Sequence, residues 1–336
     1  MKRMQILIIY NKDLDHIISK FGRQNEELYA GETIDRIAGI FKEEGADVRI
    51  IDGNMDVFES IRDAARKKNS IPFVFNLSYG IQGESRYAHI PAILEMLGLP
   101  YLGSGPLGHA LALDKIISKI LMNHHDIPTP GYTVFNDREE LGQDIDFPVI
   151  LKPSMEASSF GLKVVNNEKE LNKSVLDMLD KYQQPVLAEQ YIEGREFALA
   201  LWGNGTGLEC LPLVENKFEK EDFYTEEDKK QIPDIAKADI SPTLQLEIQK
   251  KALCLFRVLR LHDYARADIT MDKKGNVYFL EINSMAGIQP TGFFAAAARH
   301  GGYSYDEMIS KLLELGVKKY IGNHQKLKLA YESRNK

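Results

Sequence analysis

Cysteine is nearly absent. Cys210 and Cys254 are the only two, with no CxxC and no Cys/His spacing suited to zinc. That argues against a disulfide scaffold and for a reducing compartment. No apolar run approaches the roughly 18 residues of a membrane span. The start, MKRMQILIIYNKD, is basic, but its apolar run is too short for a signal peptide. A soluble, cytoplasmic protein is expected. Large blocks of like charge are missing too: Lys+Arg total 42 against Asp+Glu 49, a net charge of −7. Neither a nucleic-acid partner nor an anionic membrane is expected from that balance. An anionic substrate would have to be held by local cations or metals. There is no internal repeat or low-complexity tract. What is present is 336 residues with 44% hydrophobic content, enough for a substantial core in two or three domains.

Strands and helices alternate at first. Gln5–Tyr10 and Val48–Asp52 read as buried strands around a helical stretch near Glu27–Glu44, and Phe73–Leu77 as a third strand. This predicts a parallel sheet with crossover helices, ending near residue 110. Helices are expected at Ala88–Leu97 and about Leu111–His124, the second stopped by Pro128 and Pro130. From Pro148 the pattern becomes strand, small-residue loop, strand (PVILKP, SMEASSFG, LKVV), which reads as antiparallel. Helix Glu168–Tyr182 and strand Val186–Gln190 follow, and a helix is expected near Tyr305–Leu315. The tail from Gly322 is polar and basic and is expected to fray.

The segment Tyr264–Gly287 carries the most chemistry. ARADITM and NVYFLEIN flank Asp272-Lys273-Lys274-Gly275, which predicts a hairpin. Side chains alternate along a strand, so Arg266 and Asp268 share one side, as do Glu281 and Asn283. In the simplest register all four meet on one face. Bare carboxylates about 4 Å apart repel by roughly 4 kcal/mol at an effective dielectric near 20, so the cluster calls for a cation. An all-oxygen Asp/Glu/Asn set suits Mg²⁺ or Mn²⁺ better than zinc. The alternative is a solvated hairpin face.

Phosphate chemistry is expected elsewhere. Lys152 ends a strand, and the loop Ser154–Gly161 that follows could set backbone N–H groups and the Ser158 or Ser159 hydroxyl on phosphate oxygens. The plain alternative is a hairpin turn. Lys115 lies near a helix start, where positive charge is unfavourable unless it serves something. Glu189 and Glu196 bracket a glycine turn in AEQYIEGREF, where carboxylates can accept from an adenine amino group and ribose hydroxyls. Gly103–Gly108 fits GxGxxG, but it comes late in the sheet region and lacks a well-placed acid, so nicotinamide binding is not expected.

Taken in order, LEMLGLPYLGSGPLGHALALDK, PVILKPSMEASSFG, VLAEQYIEGREF and RADITMDKKGNVYFLEINSMAG resemble the ATP-grasp superfamily and, within it, the D-alanine–D-alanine ligase family. The likeness runs from about Phe73 to Leu315. It implies an ATP-grasp fold: an N-terminal parallel α/β domain (1–110), then two α+β domains (111–190 and 191–325) that sandwich ATP. It implies that Lys115 and Lys152 bind ATP phosphates, that Glu189 contacts adenine, and that Glu196 contacts ribose. Asp268, Glu281 and Asn283 match ligands of two Mg²⁺ ions. Arg266 and the Gly287 backbone match the groups that hold the oxyanion, and Ser158 a serine that places the first substrate. The implied activity is ATP-dependent C–N ligation of amino-acid-like substrates through an acyl phosphate, of the acid–D-amino-acid kind used in cell-wall biosynthesis. The family is commonly homodimeric. The charged stretch Glu215–Asp239 has the length and polarity of a lid; the alternative is a disordered insertion.

The likeness breaks at the substrate pocket. No glutamate occupies the family's N-terminal glycine-rich motif, where the first substrate's ammonium binds; Asn11, Asp13 or Asp15 could substitute. NLSYGIQGESRYAHIP replaces a His-containing loop. Lys229-Lys230 stands where the family has Lys-Tyr, keeping Lys229, and Gly292 stands where it has a serine. Activation machinery is retained while substrate recognition is altered. A ligase joining an amino acid to another small acid is the runner-up, and a nucleotide-binding regulatory protein is the alternative of another class.

Overall fold

β1 (Gln5–Tyr10) has four consecutive buried residues, the mark of a strand covered on both faces. It pairs in parallel with β2 (Asp47–Asp52) and β3 (Phe73–Asn76), in the order β2-β1-β3. Helix α1 (Gly31–Glu43) buries Ile34, Ile37, Ala38 and Phe41, the spacing of one helical face. Helices α2 (Val57–Ala65) and α3 (Arg86–Met96) complete the parallel layer. The computed structural model describes residues 4–13, 27–66, 71–158, 160–217, 234–322, 328 and 331–332.

The single helix expected over Leu111–His124 is two helices. α4 (Pro106–Leu113) and α5 (Lys115–His124) meet at Asp114, whose extended backbone breaks the run. The Asp114 carboxylate accepts from the N–H groups of Ile116 and Ile117 at 2.9 and 3.1 Å and caps α5. Lys115 thus becomes the first residue of a helix. The glycine run before it serves packing. The Gly103 N–H donates to Asp263, and a Cβ on Gly108 would lie 2.7 Å from the Arg260 carbonyl oxygen.

A second, four-stranded sheet is antiparallel throughout. It contains β4 (Tyr132–Phe135), β5 (Val149–Pro153), β6 (Lys163–Val165) and β7 (Val186–Gln190), in the order β4-β7-β5-β6. Helix α6 (Glu168–Tyr182) covers it with Leu171, Val175 and Met178. A third sheet has six strands: β8 (Gly194–Gly203), β9 (Glu209–Cys210), β10 (Val214–Asn216), β11 (Ile235–Lys237), β12 (Asp263–Asp272) and β13 (Val277–Asn283). Its order is β11-β10-β8-β12-β13, with β9 alongside β8. Seven residues of β8 in a row are buried, so no polar–apolar alternation announces this central strand in the sequence. Helix α7 (Pro242–Val258) covers the sheet through Ile248, Ala252, Leu255 and Phe256.

The chain then turns back. Helices α8 (Phe293–His300) and α9 (Tyr305–Ile321) bring Phe294, Met308 and Leu312 into one core with Ile6, Phe41 and Phe75 of the first layer. A Ser304–Glu307 capping box starts α9, which runs past Leu315 to Ile321. Helices α4 and α5, although they precede the second sheet in the chain, pack with the third: Ala112 and Met122 share a cluster with Leu199 and Ile282. Within the stretch 215–239, β10 and β11 pair antiparallel at the sheet edge. Residues 218–233, including Lys229 and Lys230, lie outside the described residues, as do Ser159 and Asp15. Among the described residues no helix is long and apolar enough to cross a membrane, and neither cysteine is paired.

Replacing Asp114 with alanine leaves two N–H groups at the start of α5 without their acceptor. Asp114→Ala should lower unfolding stability by about 1 kcal/mol, while Asp114→Asn stays near wild type. Urea midpoints check this, and equal midpoints for all three proteins would mean that the cap contributes nothing.

Candidate active site

The β12–β13 pairing puts Asp268 directly opposite Glu281 and Arg266 opposite Asn283. All four side chains share one face, as expected. The carboxylates do not stand bare, however. Arg266 donates to both oxygens of Asp268, Nε to Oδ1 at 2.6 Å and Nη2 to Oδ2 at 2.7 Å. Lys115 Nζ lies 3.4 Å from Glu281 Oε2. Burial alone would raise the Glu281 pKa, but Lys115, Lys152 and Arg266 outweigh it and hold the group well below the usual carboxylate range. The protein therefore sets cations of its own against these carboxylates. Among the described residues no group of three or more His, Cys, Asp or Glu side chains converges. The donor set still fits a hard divalent cation. The Asn283 amide nitrogen donates to Asp268 Oδ2 at 2.9 Å and to Glu281 Oε1 at 3.3 Å, so two carboxylates and an amide, side chains that can all offer oxygen ligands, meet at one place.

Lys152, at the end of β5, donates to Glu189 Oε1 on the adjacent β7 at 2.6 Å. Glu189 is also ion-paired to Lys119, from α5, which the sequence did not single out. Its only signal was the spacing DKIISK, one turn beyond Lys115. Burial would raise the pKa of Glu189, but the two lysines outweigh it and keep the group ionised. Glu196, half-buried on β8, faces the same cleft, and burial followed by repulsion from Asp268 raises its pKa.

The loop after Lys152 spends several groups inside the protein. Ser154 N–H donates to the Pro185 carbonyl, Met155 N–H to Gln184, and Lys115 Nζ to the Glu156 carbonyl. Ser158 sits at φ +57° and turns its hydroxyl to Glu27 Oε1 at 3.0 Å, not into an anion nest. Glu27 was not foreseen. Buried at the cleft wall, it also accepts from Tyr87 Oη at 2.6 Å and pairs with Arg86 at 3.4 Å. Arg86 in turn donates to the Met155 carbonyl at 2.8 Å and faces Glu156 at 3.6 Å, tying α3 to the loop. Two of the substitutes expected for the family glutamate lie elsewhere. Asn11 bonds to Gly53, Ser78 and Tyr79 and does not line the cleft, and neither does Asp13. Nothing in NEELYAGE marks Glu27 apart from Glu26, because only the fold brings it to Ser158.

Tyr79 stacks on Tyr29 with ring centroids 5.5 Å apart, and the Tyr29 hydroxyl accepts from the Ile288 N–H at 3.1 Å. This anchors the Gly287 turn, where a Cβ would meet the Gln289 side chain at 2.3 Å. Gly292 caps α8 at the same end of the cleft. Of the residues expected to act, Arg266, Gly287, Ser158, Lys115, Lys152, Glu189, Glu196, Asp268, Glu281 and Asn283 all line one cleft. Behind it, His109 is buried with its Nδ1 2.8 Å from the hydroxyl of Ser284, the neighbour of Asn283.

Two antiparallel sheets lining one cleft with lysines and carboxylates, behind a parallel N-terminal layer, define the ATP-grasp class of fold. The fold is similar to that of D-alanine–D-alanine ligase from Bacillus anthracis solved with ATP, with a TM-score of 0.72 at 20% identity over 96% of this chain and all of that one. A family model described as the D-ala D-ala ligase C-terminus matches residues 121–314. An uncharacterized protein of Sinorhizobium fredii is 35% identical over 95% of this chain and 99% of its own. The D-alanine–D-alanine ligase of Carboxydothermus hydrogenoformans is 32% identical over 88% of this chain and 96% of its own. The chain belongs to the D-alanine–D-alanine ligase family.

His109 yields a pH prediction. Burial, aided by Lys319, pushes its pKa from 6.5 down to about 3. Between these values the unfolded chain binds a proton that the folded one refuses, so stability is full above about 6.5 and falls as pH drops. This group's share of the slope approaches about 1.4 kcal/mol per pH unit. His109→Gln should flatten the dependence of the denaturant midpoint on pH in that window; an unchanged slope would assign it to other groups.

Proposed function

We propose that this chain is an ATP-dependent carboxylate–amine ligase for small amino-acid-like substrates. The observation that carries the reading is convergence: phosphate-type cations, an ammonium-type acceptor and an oxyanion-type donor pair line a single cleft. Lys115 and Lys152 are suited to the ATP phosphates, and Glu189 and Glu196 to the nucleoside. Asp268, Glu281 and Asn283 would hold Mg²⁺ or Mn²⁺, which neutralises phosphate charge when bound. Glu27 and Ser158 would receive the first substrate's ammonium, leaving its carboxylate near Arg266.

The reaction follows from the charges. A carboxylate is a poor electrophile, so its oxygen attacks the γ-phosphorus of ATP and the bond to ADP breaks, giving an acyl phosphate. The second substrate's amine then attacks the acyl carbon. Arg266 and the Gly287 N–H donate to the oxygen that gathers charge, a contribution often worth about 3 kcal/mol per donor. Phosphate departs, the amine loses its proton, and an amide remains. The division into units 1–110, 111–190 and 191–325, a cytoplasmic location and a homodimer belong to the same reading.

A specific observation favours substrates other than two D-alanines. The far end of the cleft presents Gly292 where the family has a serine, beside Gln289 and Thr291. An amino acid joined to a different small acid or amine fits this altered pocket.

Phosphate release from ATP with Mg²⁺ should appear with one acid–amine pair from a panel of D- and L-amino acids, with the amide product seen by mass, and should stop on chelation. No release and no ATP binding under any condition would overturn the reading. Glu27→Gln should raise the KM for the first amino acid by roughly tenfold or more, the loss of a charge-assisted contact, with the KM for ATP unchanged. Equal KM values for the amino acid would remove Glu27 from the pocket.

A further inference from the structure

Glu189 carries more positive charge than one carboxylate needs. Its side chain is 1% exposed and meets two ammonium groups, Lys152 on Oε1 at 2.6 Å and Lys119 on Oε2. The two lysines are placed differently. Lys152 and Glu189 line the cleft; Lys119 does not. Lys119 is 1% exposed, behind Glu189, with Nζ donating to Thr129 Oγ1 at 2.6 Å and lying 5.7 Å from the centre of the Tyr132 ring. We read its contact with Oε2 as charge pairing rather than a directed hydrogen bond.

We propose that Lys119 is a positioning residue for nucleotide binding: the standing counter-charge of Glu189, whose presence frees Lys152 to move onto the phosphates. Lys152 cannot neutralise Glu189 and a triphosphate at once without a compromise in both. If Lys152 were the sole partner, its departure would leave a buried, uncompensated carboxylate, which is strongly unfavourable. With Lys119 fixed behind by Thr129, the carboxylate keeps a partner throughout, and its Oε1 is released toward the nucleoside at the moment Lys152 leaves. The spacing of Lys115 and Lys119 by one helical turn gives α5 two tasks: one lysine at the phosphates and one behind the base-reading carboxylate. The inference rests on the ATP-dependent reading above.

The test measures equilibrium binding of a non-hydrolysable ATP analogue by calorimetry, alongside steady-state kinetics. Lys119→Met should weaken analogue binding and raise the KM for ATP by at least roughly tenfold, because Lys152 is then pinned to Glu189. The KM for the amino-acid substrate should stay as in wild type. The double change Lys119→Met with Glu189→Gln removes the orphaned charge while keeping a carbonyl acceptor, and it should bind the analogue more tightly than Lys119→Met alone. A purely structural lysine would give a double variant no better than the single one. If Lys119→Met does not fold, Lys119→Arg keeps the charge and should bind the analogue near wild type, whereas Lys119→Gln should not. Wild-type protein that fails to bind the analogue would overturn the ligase reading itself. Wild-type protein that binds, with Lys119→Met and Lys119→Gln binding equally well, overturns only the role given to Lys119.

Discussion

Two carboxylates facing each other across a strand pair set the terms for the rest of the cleft. Asp268 and Glu281 are forced together by the β12–β13 register, and adjacent strands leave them little room to separate. Several neighbouring elements answer that charge. β12 itself contributes Arg266, α5 contributes Lys115 and, behind Glu189, Lys119, and β5 contributes Lys152. The cleft is thus an array of buried, paired charge. An array of this kind is costly to build unless each charge keeps a partner.

That requirement explains the folding-back of the chain. Lys115 and Lys119 lie on a helix whose apolar face belongs to the six-stranded sheet, so their heads approach Glu281 and Glu189 from a different layer than the carboxylates' own. The break at Asp114 is what makes this work, since an unbroken helix from Leu111 would send Lys115 along another direction. The far end of the cleft is closed by pieces remote in sequence: Glu27 and Tyr29 from the first layer, Arg86 and Tyr87 from α3, and the Gly287 turn. The Tyr29 hydroxyl bonded to Ile288 joins residues 259 positions apart. That end of the cleft is a junction of layers.

Much of the end of the cleft built by the hairpin and the lysines was legible in the sequence because its residues sit on regular elements. Alternation on a hairpin gives Arg266, Asp268, Glu281 and Asn283 one face from period alone. Strand ends mark Lys152 and Glu189, and the order of four motifs implies the fold. The helix break was less legible, since LALDK reads as continuous helix unless Asp114 is recognised as a cap. Strand β8 was not legible, because a strand buried on both faces loses its alternation.

The sequence by itself determined many of the regular elements, and that acidic and amide oxygens gather on one hairpin. These follow from local periodicity and cap chemistry, which depend on near neighbours. Only the tertiary structure decided which carboxylate answers Ser158 and which cations balance the hairpin. Glu27 is 131 positions from Ser158, and Lys119 is 70 from Glu189. No local pattern carries such pairings, because a side chain's partner is fixed by how layers pack and by where buried charge must be compensated.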